Sequence, residues 1–236
     1  MKKIIIILLS VFSVTTAGAQ DKVSANLGVD LVNQYIWRGQ DLGNISIQPT
    51  LGISYKGLSL SAWGSVGVST ADTKEFDLTA SYSIGGLNVG ITDYWFDRGG
   101  LDPEGRYFKY DAHGTNHLFE ANIGYDFGFA SLQWYTNFAG NDGTNKDGKR
   151  AYSSYAEVVV PFKLSAIDWT ATVGAVPFAT SFYNDWTSGF AVTNVSLKAT
   201  KDIKITDSFS IPVFGQIVGN PCSQKGYLVF GFTLQP

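Results

Sequence analysis

From residue 23 onward the chain alternates. Over 23–37 the odd positions carry Val23, Ala25, Leu27, Val29, Leu31, Tyr35 and Trp37, with Asn33 the exception, and the even ones include Ser24, Asn26, Asp30 and Gln34. A period of two gives a strand one greasy and one wet face, and no helical period of about 3.6 is sustained anywhere after it. The next run sets Ile45, Ile47, Leu51, Ile53 and Tyr55 against Ser46, Gln48, Thr50 and Ser54, and Lys56 and Gly57 then turn the chain into Leu58, Leu60 and Ala62. Phe76, Leu78, Ala80, Tyr82 and Ile84 oppose Asp77, Thr79, Ser81 and Ser83; Gly85 and Gly86, a hairpin signal, lead into Leu87, Val89 and Ile91. Phe119, Ala121, Ile123, Tyr125 and Phe127 oppose Glu120, Asn122 and Asp126, and Ala130, Leu132, Trp134 and Phe138 oppose Ser131, Gln133 and Asn137. With further runs near 153–162, 168–176, 190–201, 208–218 and 227–234, the pattern predicts twelve strands and an all-β fold.

The links alternate too. Those near Lys56, Gly85, Gly128, Lys163 and Asp202 are short, whereas the intervening ones are generally longer and polar, the longest covering 97–116. Even strand number, short turns at one end and longer loops at the other are the layout of an antiparallel transmembrane β-barrel, with both termini on the periplasmic side. A soluble antiparallel sandwich with its greasy face buried shares the alternation, and the aromatics separate the two. Tyr55, Tyr82, Tyr125, Phe127, Phe162 and Trp169 gather at the turn ends and Tyr35, Trp37, Trp95, Phe138 and Phe190 at the loop ends, the two girdles expected at membrane interfaces. Runs of roughly ten residues also match a tilted crossing.

Ahead of the strands, Lys2 and Lys3 precede an apolar run at 4–14 and the small residues Ala17, Gly18 and Ala19, so 1–19 reads as a cleaved signal peptide and 20–236 as one barrel domain. Loss of those two lysines and no acid moves the formal charge from −3 to −5. Such mild acidity offers no basic patch to nucleic acid; the expected partners are the lipid bilayer and small polar solutes or ions. Only 16% of residues are charged, against about 25% in an average soluble domain, while 26 glycines and 14% aromatics suit many short strands and turns. The single cysteine, Cys222, permits no intramolecular disulfide and reads as an incidental thiol.

Catalytic and metal motifs are sparse. His113 and His117 stand four apart, but Gly114 and Asn116 break the helix a zinc pair needs, and no acid follows the first His. The stretch 141–148 puts Gly143 at the first ligand position of a calcium loop and lacks the closing Glu, so it reads as a solvated loop. A barrel enzyme acting on lipid, a hydrolase or acyltransferase, would have to assemble a serine with His117 and Glu120, whose opposite parity points them to opposite faces. Neither catalysis nor a cofactor or metal is expected.

The wet face carries the functional expectation. Asp30, Gln34, Gln48, Asp77, Glu120, Gln133, Tyr135, Tyr155, Glu157, Asn194, Lys198 and Gln216 would line the lumen, and a polar lumen is the condition for conducting water and ions. Asp30, Asp77, Glu120 and Glu157 outnumber Lys198 and Arg38, which predicts a modest cation preference carried mainly by Glu120 and Glu157. Arg38, on lumen parity at the outer rim, should seek Asp41, nearest in sequence, or Asp77 or Glu120 across the barrel. Twelve strands fall between the roughly eight whose interior fills with side chains and the roughly sixteen that leave an aqueous channel. A plugged structural barrel is therefore the other reading, and the sequence leaves open whether loop 97–116 folds into the pore.

Tyr35, Ile36, Trp37, Arg38 and Gly39, followed by Asp41 and Leu42, then Gln48 and Pro49, and finally Ala62, Trp63, Gly64 and Ser65, resemble the opening of the TorF-like porin family of Gram-negative outer membranes. In that family an aromatic-x-aromatic-Arg-Gly step ends the first strand, a Gln near a Pro opens the second, and a Trp-Gly-Ser closes the third. The resemblance covers about residues 23–68 and is architectural beyond them. It implies an outer-membrane porin for passive diffusion of small polar solutes or ions. Barrels of this kind commonly end on an aromatic residue read by the outer-membrane assembly machinery; here Leu228, Phe230, Phe232 and Leu234 alternate as expected, but Gln235 and Pro236 follow.

Overall fold

A strand with one apolar and one polar face leaves both edges unpaired, and pairing strand to strand until the last meets the first removes every edge. The computed structural model, which describes residues 22–187, 189–207 and 209–236, takes that solution; the expected signal peptide lies outside the described residues. In chain order the strands are β1 (Ser24–Val32), β2 (Tyr35–Trp37), β3 (Gln40–Gly43), β4 (Ser46–Tyr55), β5 (Leu58–Gly67), β6 (Glu75–Ile84), β7 (Leu87–Phe96), β8 (His117–Asp126), β9 (Ser131–Gly140), β10 (Ser154–Leu164), β11 (Ile167–Val176), β12 (Ala191–Lys204), β13 (Ser210–Asn220) and β14 (Lys225–Leu234). All but β2 and β3 form a closed antiparallel barrel of twelve strands, sealed where β1 pairs with both β4 and β14. Short turns lie at the end that carries Ser24 and Leu234, and loops 33–45, 68–74, 97–116, 141–153 and 177–190 lie at the other. Lys56 and Gly57 (φ 48° and 85°) and Gly85 and Gly86 (φ 55° and 88°) all take positive φ, the type I′ geometry whose twist matches the flanking strands.

The faces fall as the alternation predicts. Leu51, Ile91 and Ile123 point outward and are 58%, 52% and 52% exposed, while Gln48, Asn88 and Asn122 point inward and are 4%, 8% and 8% exposed. An exposed apolar outer wall around a buried polar interior inverts a soluble sandwich and fits a membrane barrel. At the turn end Tyr55, Tyr82, Tyr125, Phe127 and Phe162 stand exposed on the outside as one girdle. The interior is graded along its axis. Towards the turns it is lined by small hydroxyl side chains, half-buried Ser59, Ser61, Thr79, Ser81 and Ser83, whereas towards the loops it is densely packed.

One expectation needs correcting, and one open question is answered. The run 23–37 is not one strand: β1 leaves the wall after Val32, and Tyr35 and Trp37 turn into the barrel instead of joining the outer girdle. Asn33, the break in that run's alternation, marks the departure. Its side chain clasps β14, donating to the Leu228 carbonyl at 3.1 Å and accepting from the Phe230 amide at 2.7 Å. The open question is the place of the longest loop. Loop 97–116 folds over the outside of the wall, where Tyr107 packs on Phe76 and Trp95 and Tyr110 stacks on His117 at 4.1 Å; it is loop 33–45 that fills the lumen. Loop 97–116 is organised around Asp102, which accepts from Arg106 through two 3.0 Å side-chain bonds and from Lys109, and whose carboxyl these cations hold well below the usual carboxylate range.

Candidate functional site: a hairpin docked inside the barrel

β2 and β3 form a short hairpin whose tip is Arg38 and Gly39, with φ of 50° and 78°, again the two-residue type I′ turn. Its own alternation sorts its contacts. Ile36 packs against the cluster of Val32, Phe214, Val218 and Val229, an apolar patch on the inner wall of β1, β13 and β14. Tyr35 and Trp37 lean the other way, Tyr35 onto Trp63 of β5 with ring centroids 5.5 Å apart and Trp37 onto Tyr94 of β7 at 5.9 Å. The tip reaches β12 and β13, where Asn220 donates to the Gly39 carbonyl at 3.0 Å. Gly39 is required by space as well as by φ, since a Cβ there would strike the backbone carbonyl of Thr193, the residue extruded by a bulge in β12.

This tip delivers Arg38 to the middle of the lumen. Its guanidinium grips the Glu120 carboxylate with two bonds, of 2.5 and 2.9 Å, and donates to the Tyr183 hydroxyl at 2.6 Å. The plane lies over the rings of Tyr135, Trp37 and Tyr155 at 4.0, 4.3 and 4.8 Å. Both charges are shut in, with side chains 7% and 2% exposed. The surroundings are tied together in turn: Tyr94 donates to Glu120 at 2.9 Å, and Tyr135 and Tyr155 reach the two oxygens of Glu157 at 3.4 and 3.1 Å. The bulky inward side chains have room because glycines sit opposite them; the Tyr155 ring lies over Gly174, where any Cβ would overlap it.

All six expected lumen residues face inward. Arg38 and Glu120 meet, which selects one of the three carboxylates proposed from sequence; Asp41 instead accepts from Gln34 at 3.0 Å at the hairpin base. Arg38 itself lies at lumen depth and not at the rim, because it rides an inward hairpin. Asp30 accepts from Thr233 and lies near Lys198, whose ammonium also sits 3.9 Å from the centre of the Phe214 ring. Asp77 stands on β6 beside Glu75, both facing Tyr35. Glu75 was not anticipated, although it lies one strand period above Asp77 and so on the same face. Tyr94 is legible by parity in the same way. Tyr183 is not, since it comes from loop 177–190, which carries no period.

His117 and Glu120 do not come together. His117 is on the outside under loop 97–116, with Nδ1 2.7 Å from Asp93 and Nε2 2.5 Å from the Tyr107 carbonyl, so both ring nitrogens are engaged. Among the described residues no three His, Cys, Asp or Glu side chains are gathered as metal ligands. No family model matches the chain and no curated protein matches it, so what the site does must follow from its own geometry.

Proposed function

We propose that this chain is an outer-membrane channel of the TorF-like porin kind, passing small polar solutes or ions through a narrow lumen with a modest preference for cations. The observation that carries the reading is the charge balance of the polar interior. Inward-facing Asp30, Glu75, Asp77, Glu120 and Glu157 face Arg38 and Lys198, so the acids exceed the bases. Arg38 matches Glu120 and Lys198 lies near Asp30, which leaves the selectivity to Glu75, Asp77 and Glu157. Carboxylates within a low-dielectric wall favour cations because the wall focuses their field into the pore. Single-channel recording of the refolded protein in a planar bilayer tests this. The reversal potential should show cation preference, weakening as added salt shortens the Debye length, and Asp77→Asn with Glu157→Gln should remove most of it. Anion preference in the native channel would refute the assignment.

The docked hairpin favours a second reading, a barrel that stays closed until the hairpin moves. No current from the native protein, together with current from an Arg38→Ala barrel, would select it.

Membrane placement has its own test. Arg at outward Leu51 or Ile123 should cost about 2 to 4 kcal/mol of barrel stability in bilayers, whereas Arg at inward Thr79 should be tolerated. Equal tolerance at all three would mean that the outer wall does not meet lipid.

A further inference from the structure

We propose that the hollow holding Arg38 is a binding site for guanidinium groups, and that the solutes of the pore include small molecules that carry one. The inference rests on the channel reading and adds a solute class to it. Arg38 belongs to the hairpin, but most of what receives it belongs to the wall and to loop 177–190: Glu120 on β8, Tyr135 on β9, Tyr155 on β10 and Tyr183. The features of the hollow are those that tell a guanidinium from other cations. The carboxylate takes two parallel N–H bonds at 2.5 and 2.9 Å, a hydroxyl takes a third at 2.6 Å, and tyrosine rings lie 4.0 and 4.8 Å from the guanidinium carbon. An ammonium is a point charge with no plane to stack and no fork to match both oxygens.

The receiving groups on the wall are also held by bonds that do not involve Arg38. Tyr94 fixes Glu120, and Glu157 is bonded by both Tyr135 and Tyr155. With the Arg38 side chain removed, these bonds keep an acidic, aromatic hollow in place, already shaped for the group it has lost. Two carboxylates, Glu120 and Glu157, serve one guanidinium there, so the site favours a cation. Arg38 is then a tethered occupant, and a free guanidinium solute competes with it for the same seat.

The test uses the full barrel refolded in detergent with Arg38→Ala, and methylguanidinium as the probe. At about 10 mM, far below denaturing concentrations, it should raise the melting midpoint by about 5 °C or more, as a ligand of the folded state alone does. Methylammonium should not, and adding Glu120→Gln should abolish the rise. An equal rise with methylammonium, or no rise with either, overturns the proposal. Should Arg38→Ala fail to fold alone, methylguanidinium present during refolding should restore the folded barrel and methylammonium should not; rescue by neither overturns the proposal equally. This binding measurement needs no transport. In planar bilayers the potassium current of the same variant should be interrupted by millimolar methylguanidinium. Current without binding counts against the site, whereas binding without any current counts against the channel.

Discussion

Glu120→Ala is expected to destabilise the barrel by about 3 to 5 kcal/mol, more than any other single truncation in the lumen, because it strands the Arg38 guanidinium in a place built to exclude water. The pair is bidentate, with side chains 7% and 2% exposed, so neither charge has solvent to fall back on. Removing both partners is a different matter. Arg38→Ala with Glu120→Ala leaves a cavity but strands neither member of the pair, and it should cost less than the sum of the single changes by about 2 kcal/mol or more. Unfolding of the four members of this cycle in detergent measures that coupling. Additive costs would mean that the two side chains merely fill space. The single variant has one escape, which is for the hairpin to swing out and hydrate Arg38. Trypsin reports it, since cleavage after Arg38 should be slow in the native barrel and fast in Glu120→Ala.

Gly39→Val is expected to undock the hairpin tip even with the ion pair intact in sequence. A β-branched residue at φ 78° is strained by about 1 to 3 kcal/mol on its own. The greater obstacle is steric, since the Cβ meets the Thr193 carbonyl, a backbone atom of β12 that cannot swing aside as the end of a side chain could. Gly85 gives the control. It too has positive φ, 55°, but a Cβ there meets nothing, so Gly85→Ala should cost only about 1 kcal/mol and leave the hairpin seated. The expected signature of Gly39→Val is rapid tryptic cleavage after Arg38, a lower melting midpoint and, on the channel reading, a larger unitary conductance. Cleavage as slow as in the native barrel would show that the tip does not depend on its approach to β12.

The wall was open to reading from the sequence because its rule is local. Successive Cβ atoms of a strand point to opposite faces, so Leu51 and Gln48, or Ile123 and Glu120, declare outward and inward without reference to any distant residue. The count of alternating runs gave the strand number, and turn lengths, which are local as well, separated the two ends of the barrel. The plug obeys no local rule. Asn33 breaks the alternation once, but Tyr35 and Trp37 resume the period of β1, so the pattern does not tell that the chain there leaves the wall and heads inward. What turns the hairpin inward lies far along the chain: Glu120 is 82 residues from Arg38, Tyr183 is 145 and Asn220 is 181 from Gly39. Charge complementarity narrowed the partners of Arg38 to three carboxylates, and only the closed barrel, by setting which strands face one another across the lumen, chose Glu120 among them. Loop 97–116 shows the same division. Its length left open whether it enters the pore; its apolar rings, Tyr107 and Tyr110, find Phe76, Trp95 and Phe119 on the outer wall, while the hairpin already occupies the space inside. Local periodicity thus determined which face of each strand is wet, and the fold alone determined what fills the space those faces enclose, because that depends on contacts between residues the chain separates and the barrel brings together.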